Sequence, residues 1–226
     1  MNFVKKIDDR VKIQRVLVSV YDKSGLDTLV PELLRINPAI TLYSTGGTYR
    51  AIADILGDSK AESLMAVSEY TGQPEMQGGL VKTLDFKIYL GLLSETYNPA
   101  HRQDLDRTGA AAIDMVVVNL YPFRNTVAQD DVTPERARAN IDIGGPCMIR
   151  AAAKNYLRVA AVVDPGDYEA IVAELEQNHG CLSLATRFRL GQKTFAYTSE
   201  YDTAIAGYLE SCTPEAVRCS YQEVLP

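Results

Sequence analysis

Apolar residues in the first part of the chain alternate between short β-branched runs and helical spacing. Residues 16–20 form a compact apolar run that is typical of a buried strand. A polar turn at residues 22–25 follows, and apolar residues then recur at helical spacing over residues 26–34. A second unit repeats this order around the turn at residues 44–48, with a helix that ends at Gly57. The pattern predicts two successive strand–turn–helix units.

The same alternation continues along the chain. We predict a third strand around Val67, a more apolar strand over residues 115–120 and another strand over residues 159–163. Helices are predicted over residues 165–177 and 183–209. Strands that alternate with helices and are almost continuously apolar are typical of a parallel sheet with helices on both faces. The chain is therefore predicted to have an α/β fold.

The organisation changes near residue 140, after which helical segments dominate. We predict a core over residues 1–140 and a smaller C-terminal α/β lobe, residues 141–226, packed on that core. Neither an internal repeat nor a low-complexity linker marks a boundary, so its position is approximate.

Composition and charge narrow the class of protein. The chain has 226 residues, 46% of them apolar, and 23 basic against 29 acidic side chains give a net charge of −6. That charge repels a phosphate backbone, so a nucleic-acid partner is not expected. No run approaches the roughly 20 apolar residues of a membrane span, and the first ten residues lack the apolar block of a signal peptide. We therefore expect a cytoplasmic protein.

Metal binding is not expected either. The four cysteines lack the CxxC pairing of zinc and redox sites, and only two histidines are present. We expect the cysteines to be buried or inert thiols.

Polar residues follow the predicted strands at their carboxyl ends, where ligands of parallel sheets gather. The glycine-containing turn at residues 44–48 opens a helix, and backbone N–H groups and the positive end of a helix stabilise a phosphate there. Lys23 follows the neighbouring strand and could complete such a site. The alternatives are that the glycines serve only a tight turn and that Lys23 is simply solvated.

Three further segments carry candidate chemistry. Asn119 and Tyr121 follow a strand and could pair with and stack on a purine-like ring, or could merely cap the strand end. Lys82 follows a glycine-rich loop and could be an ordinary surface lysine. Asp142 precedes a glycine pair that opens a helix, and Lys154 follows twelve residues later. This last segment suggests acid/base chemistry beside an anion, although Asp142 could only cap the helix.

Several ordered motifs at familiar spacing resemble the IMP cyclohydrolase part of the bifunctional purine-biosynthesis protein, whose other half is an AICAR transformylase. The resemblance covers nearly the whole chain. Its motifs lie at residues 18–25, 44–48, 70–76, 81–84, 116–123, 141–145, 150–155 and 194–202.

This resemblance implies a methylglyoxal-synthase-like fold, a homodimer, and an enzyme that closes formyl-AICAR to inosine monophosphate (IMP) with loss of water. Neither a cofactor nor a metal is implied, and a separate AICAR transformylase is the partner it suggests. Four residues match the family's catalytic positions: Lys82, Tyr121, Asp142 and Lys154. Residues matching its substrate-binding positions are Ser19, Lys23, Ser44, Gly47, Thr48, Thr83, Asn119, Ile143, Gly144 and Gly145.

The chain also departs from the family pattern. Leu80, Asp85, Phe86 and Tyr89 replace an arginine, a His-Pro pair and a histidine, and Tyr197 replaces another histidine. These departures keep a second function open, that of a weak or inactive purine-nucleotide-binding relative with a regulatory role. A methylglyoxal-synthase-like lyase is a third, which would leave Asn119, Tyr121 and the segment from Asp142 to Lys154 without a role.

Overall fold

The computed structural model describes residues 3–57, 62–74 and 82–222. Its strands are β1 (Arg10–Lys12), β2 (Arg15–Val20), β3 (Thr41–Ser44), β4 (Leu64–Ala66), β5 (Met115–Asn119), β6 (Ala160–Val162) and β7 (Cys181–Ser183). Its α-helices are α1 (Leu26–Ile36), α2 (Gly46–Leu56), α3 (Val67–Thr71), α4 (Phe86–Leu93), α5 (Pro99–Thr108), α6 (Phe123–Val127), α7 (Pro134–Ala139), α8 (Gly144–Lys154), α9 (Tyr168–Gln177), α10 (Leu184–Ser211) and α11 (Pro214–Arg218).

The main sheet has five strands in the order β4-β3-β2-β5-β6, and every neighbouring pair is parallel. The register places Val20 opposite Asn119 and Val18 opposite Ser44. All five strands therefore end at one edge, and the loops that follow them meet there. The predicted α/β fold with a parallel sheet is confirmed. A separate two-stranded antiparallel ribbon joins β1 to β7.

Side chains of the central strands point alternately to two apolar clusters, one on each face of the sheet. Val16 and Val18 of β2 pack with α1, α2 and α9, whereas Leu17 packs with α4, α8 and α10. This alternation follows from the two-residue period of a strand. Because both faces are covered, the strands are apolar throughout, which is the pattern that the sequence shows.

The C-terminal part of the chain contributes to the same sheet. Strand β6 pairs with β5, and α8 and α10 cover one face. The main sheet therefore contains strands from both sides of the predicted boundary at residue 140. The division into core and lobe stays a prediction.

Helix α10 is fixed to the body of the protein by a buried arginine. Arg187 is fully buried and donates hydrogen bonds to five backbone carbonyls. Those carbonyls belong to Asp8, Asp9, Tyr156, Leu157 and Leu182. On the next turns, the Thr194 hydroxyl donates to the Ala161 carbonyl in β6 at 3.1 Å. The helix therefore has a fixed position relative to the sheet.

Some predicted elements differ from the structure. The strand predicted around Val67 lies at Leu64–Ala66, and Val67 begins α3 instead. Helices α4 and α5 were not predicted, and residues 75–81 of the predicted loop lie outside the described residues. No helix within the described ranges is both long and apolar enough to cross a membrane.

Candidate active site

A cavity of about 370 Å³ lies at the carboxyl edge of the main sheet. Its walls come from the segments that follow β2, β3 and β5, from the start of α8, and from Lys82 to Leu84. Of the predicted site residues, it is lined by Ser19, Lys23, Gly47, Thr48, Lys82, Thr83, Asn119, Tyr121, Asp142, Ile143, Gly144 and Gly145. The parallel topology brings these distant segments together because all their strands end at this edge.

One end of the cavity suits an anion. Helix α2 begins at Gly46, whose φ of 49° lies in the left-handed region that glycine adopts without strain. The first N–H groups of a helix have no partners within the helix and carry its positive end. A Cβ atom built on Gly46 would lie 3.2 Å from Lys82 Nζ, so the ammonium group adjoins this turn. The turn and Lys82 together suit an anion, and phosphate binding here stays a prediction.

The hydroxyl groups around this turn mainly hold the strands in place. Ser44 is fully buried, does not line the cavity, and donates to the Val18 carbonyl at 2.8 Å. Thr48 donates to the Val20 carbonyl and accepts from its N–H, each at 3.0 Å. Ser44 is therefore separated from the cavity by the packing of β3 against β2, and Thr48 supports the wall through its hydroxyl.

Asn119 holds the loop that follows β2. Its Oδ1 accepts the N–H groups of Tyr21 and Asp22, each at 2.8 Å, and its Nδ2 donates to the Asp22 carbonyl at 2.8 Å. The prediction was that this amide faces a purine edge. Because Oδ1 already accepts two hydrogen bonds, the amide fixes the loop that carries Tyr21 and Lys23, and its contact with a purine edge stays a prediction.

Two tyrosine rings also line the cavity. Tyr21 and Tyr121 are 52% and 48% exposed, and their ring centroids are 5.5 Å apart with an interplanar angle of 86°. Aromatic rings in this edge-to-face arrangement attract each other. The contact restrains the Tyr121 ring, and the residue remains half-exposed. This contact was not predicted from the sequence.

Asp142 lies at the start of α8 in a partly buried position. Its Oδ1 accepts the Gly145 N–H at 2.9 Å, so the carboxylate does cap the helix. Burial raises the pKa of Asp142, and the Gly145 and Gly144 N–H groups oppose that rise only in part. A carboxylate with a raised pKa that lines a cavity is a stronger base than one in water.

The glycine pair after Asp142 permits very close packing. A Cβ atom on Gly145 would lie 2.5 Å from both Asp142 Oδ2 and Leu120 Cδ2. A Cβ atom on Gly144 would lie 2.5 Å from the Thr83 hydroxyl. Only glycine therefore fits at these two positions with the neighbouring side chains where they are.

Lys154 is separated from the other predicted catalytic residues. It is the last residue of α8 and is exposed, whereas Gly144 at the start of α8 lines the cavity. Eleven helical residues place the two ends about 15 Å apart. The described chain thus brings Lys82, Tyr121 and Asp142 to one cavity but not Lys154, whose catalytic role stays a prediction.

Three of the departures from the family pattern, Asp85, Phe86 and Tyr89, lie away from this cavity. Asp85 caps α4 by accepting the Lys87 N–H at 2.8 Å, Phe86 is exposed, and Tyr89 is half-buried on α4. None of these three side chains lines the cavity. Leu80 lies outside the described residues.

None of the four cysteines is fully buried, and the inertness of their thiols stays a prediction. All four cysteines are free of disulfides, and Cys147 and Cys219 are exposed. Within the ranges that the structure describes, no three His, Cys, Asp or Glu side chains are placed to hold a metal ion. The side chains with candidate chemistry in the cavity are Lys82, Tyr121 and Asp142.

A second, larger cavity of about 900 Å³ adjoins the first and shares Tyr21, Lys23 and Asn119 with it. Its other wall contains Lys193, which pairs with Asp164 and Asp167 at 2.6 Å each. The first cavity alone contains Lys82, Asp142 and the Gly46 turn, and we assign the candidate active site to it.

If this turn holds the phosphate of IMP, as the resemblance implies, Gly47→Ala is expected to weaken nucleotide binding without destabilising the protein. A Cβ atom at Gly47 meets nothing within 4 Å, so the methyl group would occupy space in the cavity. We expect the free energy of unfolding to stay equal or rise by up to about 1 kcal/mol, because alanine favours the helix. The dissociation constant for IMP, measured by calorimetry, is expected to rise about tenfold.

Gly207→Ala is the matched control, since its Cβ also meets nothing within 4 Å and it lies in α10 away from the cavity. Equal IMP affinity in the two variants would contradict the placement of the phosphate at the Gly46 turn.

Comparison with known families identifies the family to which the chain belongs. A family model described as the MGS-like domain matches residues 26–147, more than half of the chain, and the chain belongs to this family. A second model, the AICARFT/IMPCHase bienzyme, matches residues 152–225.

Individual curated proteins are also similar to the chain. The chain is similar to the bifunctional purine biosynthesis protein PurH of Acidithiobacillus ferrooxidans, with 44% identity over 95% of the chain and 40% of the relative. PurH of Neisseria meningitidis is 43% identical over 91% of the chain and 37% of the relative. The chain thus spans about two fifths of the length of these curated relatives. The predicted resemblance to the cyclohydrolase part of this protein is confirmed.

A solved structure is similar to the chain as well. The crystal structure of ForH superimposes with a TM-score of 0.71 and 30% identity. The match covers 86% of the chain and 97% of ForH.

Proposed function

We propose that this chain is an IMP cyclohydrolase that closes formyl-AICAR to IMP with loss of water. The family and the relatives support a role in purine biosynthesis. The cavity supports the specific reaction, since it combines a phosphate-binding turn with a lysine, a tyrosine and an aspartate of raised pKa.

The substrate lies along the cavity in this proposal. Its phosphate binds at the start of α2 beside Lys82, and its base lies between Tyr121 and the loop of residues 142–145. The backbone of Ile143 to Gly145 lines this end without bulky side chains at the two glycines. A flat imidazole ring that carries a carboxamide can therefore approach the carboxylate of Asp142.

The reaction needs position and charge stabilisation more than a strong nucleophile. The carboxamide nitrogen attacks the formyl carbon of the same molecule, and the cavity favours this by fixing the rotamers of both groups. One proton from the carboxamide nitrogen and one from the formamido nitrogen leave with the formyl oxygen as water. Asp142 takes the carboxamide proton, and Tyr121 stabilises negative charge on the formyl oxygen.

The observation that carries the proposal is the shared cavity of Lys82, Tyr121 and Asp142. These residues are far apart in sequence and come from different elements. The test is an ultraviolet absorbance assay of formyl-AICAR conversion to IMP by the wild-type chain. Conversion faster than the uncatalysed rate supports the proposal. Binding of IMP without turnover would support the regulatory alternative instead.

Lys82→Ala is expected to weaken IMP binding at least tenfold, because the ammonium group beside Gly46 no longer attracts the phosphate. The loss is expected to shrink at high salt, since an accessible charge is screened. Calorimetric titration with IMP at low and high ionic strength measures both effects. Lys12→Ala removes the same charge from an exposed position on β1 and serves as the control. Equal weakening in both variants would show a general charge effect and contradict the assignment.

The homodimer and the separate AICAR transformylase, which the resemblance implies, and the cytoplasmic location all stay predictions.

A further inference from the structure

Two tyrosines of α10 hold the two loops that carry Tyr121 and Asp142. Tyr197 Oη accepts the Leu120 N–H at 3.0 Å, immediately before Tyr121. Tyr201 lies four residues further along and its Oη accepts the Asp142 N–H at 2.8 Å. Residues four apart on a helix lie on the same face. One helix face thus contacts both catalytic segments through equivalent hydrogen bonds.

These contacts fall where the backbone has no regular partner. Leu120 follows the last residue of β5, and Asp142 lies between α7 and α8. Backbone N–H groups in such positions need a side chain or water as acceptor. A hydroxyl on a fixed helix provides an acceptor at a defined place, whereas water does not.

Helix α10 is fixed relative to the sheet, so it can determine where the two loops lie. Arg187 fixes its first turns to five carbonyls, and Thr194 ties its middle to β6. The Tyr201 ring is buried and meets Phe123 edge-to-face, with centroids 6.3 Å apart. Both hydroxyl groups therefore belong to a helix that is fixed to the sheet, and the loops take their positions from them.

We propose that Tyr197 and Tyr201 are positioning residues for ring closure, which set the distance between Tyr121 and Asp142 across the cavity. The role rests on the proposed function, because it acts through the two side chains that contact the substrate there. Neither tyrosine lines the smaller cavity, so neither is proposed to touch the reacting atoms. Tyr197 stands where the cyclohydrolase pattern has a histidine, and its hydroxyl still supplies an acceptor for Leu120.

The test compares Tyr197→Phe and Tyr201→Phe with the wild type. Each change removes one acceptor and keeps the ring. We expect kcat for formyl-AICAR to fall about tenfold in each variant, as the loss of one positioning hydrogen bond implies, with KM changed less than about twofold. Hydrogen exchange of the peptides that contain residues 120 and 142 is expected to accelerate in the corresponding variant.

A pH profile separates positioning from simple stability. Burial raises the pKa of Asp142, so a loosened loop that admits water lowers it toward the ordinary value. The acid limb of kcat/KM is therefore expected to move to lower pH in Tyr201→Phe. Tyr208→Phe, the same change two turns along α10 from Tyr201, is the control and is expected to leave kcat and the acid limb unchanged.

The outcomes distinguish the two proposals. An active wild type whose Tyr197→Phe and Tyr201→Phe variants match Tyr208→Phe in kcat, pH profile and exchange overturns the positioning role alone. A folded wild type that does not accelerate ring closure overturns the proposed function, and the positioning role with it.

Discussion

Asp142→Asn is expected to lower kcat for formyl-AICAR closure about 100-fold or more while the protein stays folded. Loss of a positioned general base typically costs that much. Asparagine has nearly the same shape, and its side-chain oxygen can still accept the Gly145 N–H that Asp142 accepts at 2.9 Å. The change therefore removes the basic group and keeps the cap of α8. Steady-state absorbance kinetics at saturating substrate measure the effect.

The acid limb of the wild-type activity profile is expected above the ordinary aspartate value, because burial raises the pKa of Asp142. The same shift affects stability. The folded protein binds this proton more tightly than the unfolded chain, so the contribution of the group is fully present below the unfolded pKa of about 3.9 and is lost as pH rises through the folded pKa. Asp142→Asn is thus expected to be as stable as wild type, or more stable, at pH 7.

Asp54→Asn provides the control for charge, since Asp54 is exposed on α2. It is expected to match the wild type in kcat and in the acid limb. An Asp142→Asn variant that keeps more than half of the wild-type kcat would exclude Asp142 as the base.

Gly145→Ala is expected to impair both activity and stability. The new methyl group would lie 2.5 Å from Asp142 Oδ2 and 2.5 Å from Leu120 Cδ2, well inside contact distance. Relief requires the carboxylate and the Leu120 side chain to move, and overpacking of this kind costs about 1–3 kcal/mol. Displacement of a catalytic group by about 1 Å lowers the rate about 100-fold. Thermal melts and kcat measure the two effects.

Gly207→Ala again serves as the control, because alanine meets nothing within 4 Å there and favours the helix. It is expected to match or exceed the wild type in stability and to keep its kcat. Normal activity in Gly145→Ala would show that the loop of Asp142 can move without consequence, contrary to the proposed role of the carboxylate.

The sequence predicts the central sheet well because burial on both faces leaves a strong apolar signal. Strand β5, predicted over residues 115–120, lies at Met115–Asn119. Strands β1 and β7 have three residues each and pair across most of the chain, so neither length nor local pattern reveals them. The strand predicted around Val67 lies at Leu64–Ala66 instead. Val67 is the first residue of α3, and its side chain joins the apolar core from that helix.

The sequence predicts those site residues that follow the parallel strands, because the strand order alone brings them to one edge of the sheet. Lys23, Asn119 and Asp142 follow or border elements at one sheet edge, and all three line the cavity. The use of the Asn119 amide could not be predicted, because its partners at residues 21 and 22 depend on the pairing of β2 with β5. Lys154 is on the expected helix, yet the rise of that helix carries it away from the cavity.

The supporting residues of α10 were missed for a related reason. Tyr197 and Tyr201 lie within a long helix whose apolar and polar residues give no local sign of a functional contact. Their partners, Leu120 and Asp142, are 77 and 59 residues away along the chain. A four-residue spacing of tyrosines opposite two candidate loops was the available signal, and it gains meaning only once the helix is placed on the sheet.

A crystal structure of the wild-type chain with IMP tests most directly whether one cavity holds the nucleotide. The phosphate is expected at the start of α2, within hydrogen-bonding distance of Lys82, with the purine ring beside Tyr121 and the Asp142 carboxylate. IMP bound instead in the neighbouring cavity, between Asp164 and Tyr197, or with its base turned away from Asp142, would contradict the assignment of the active site.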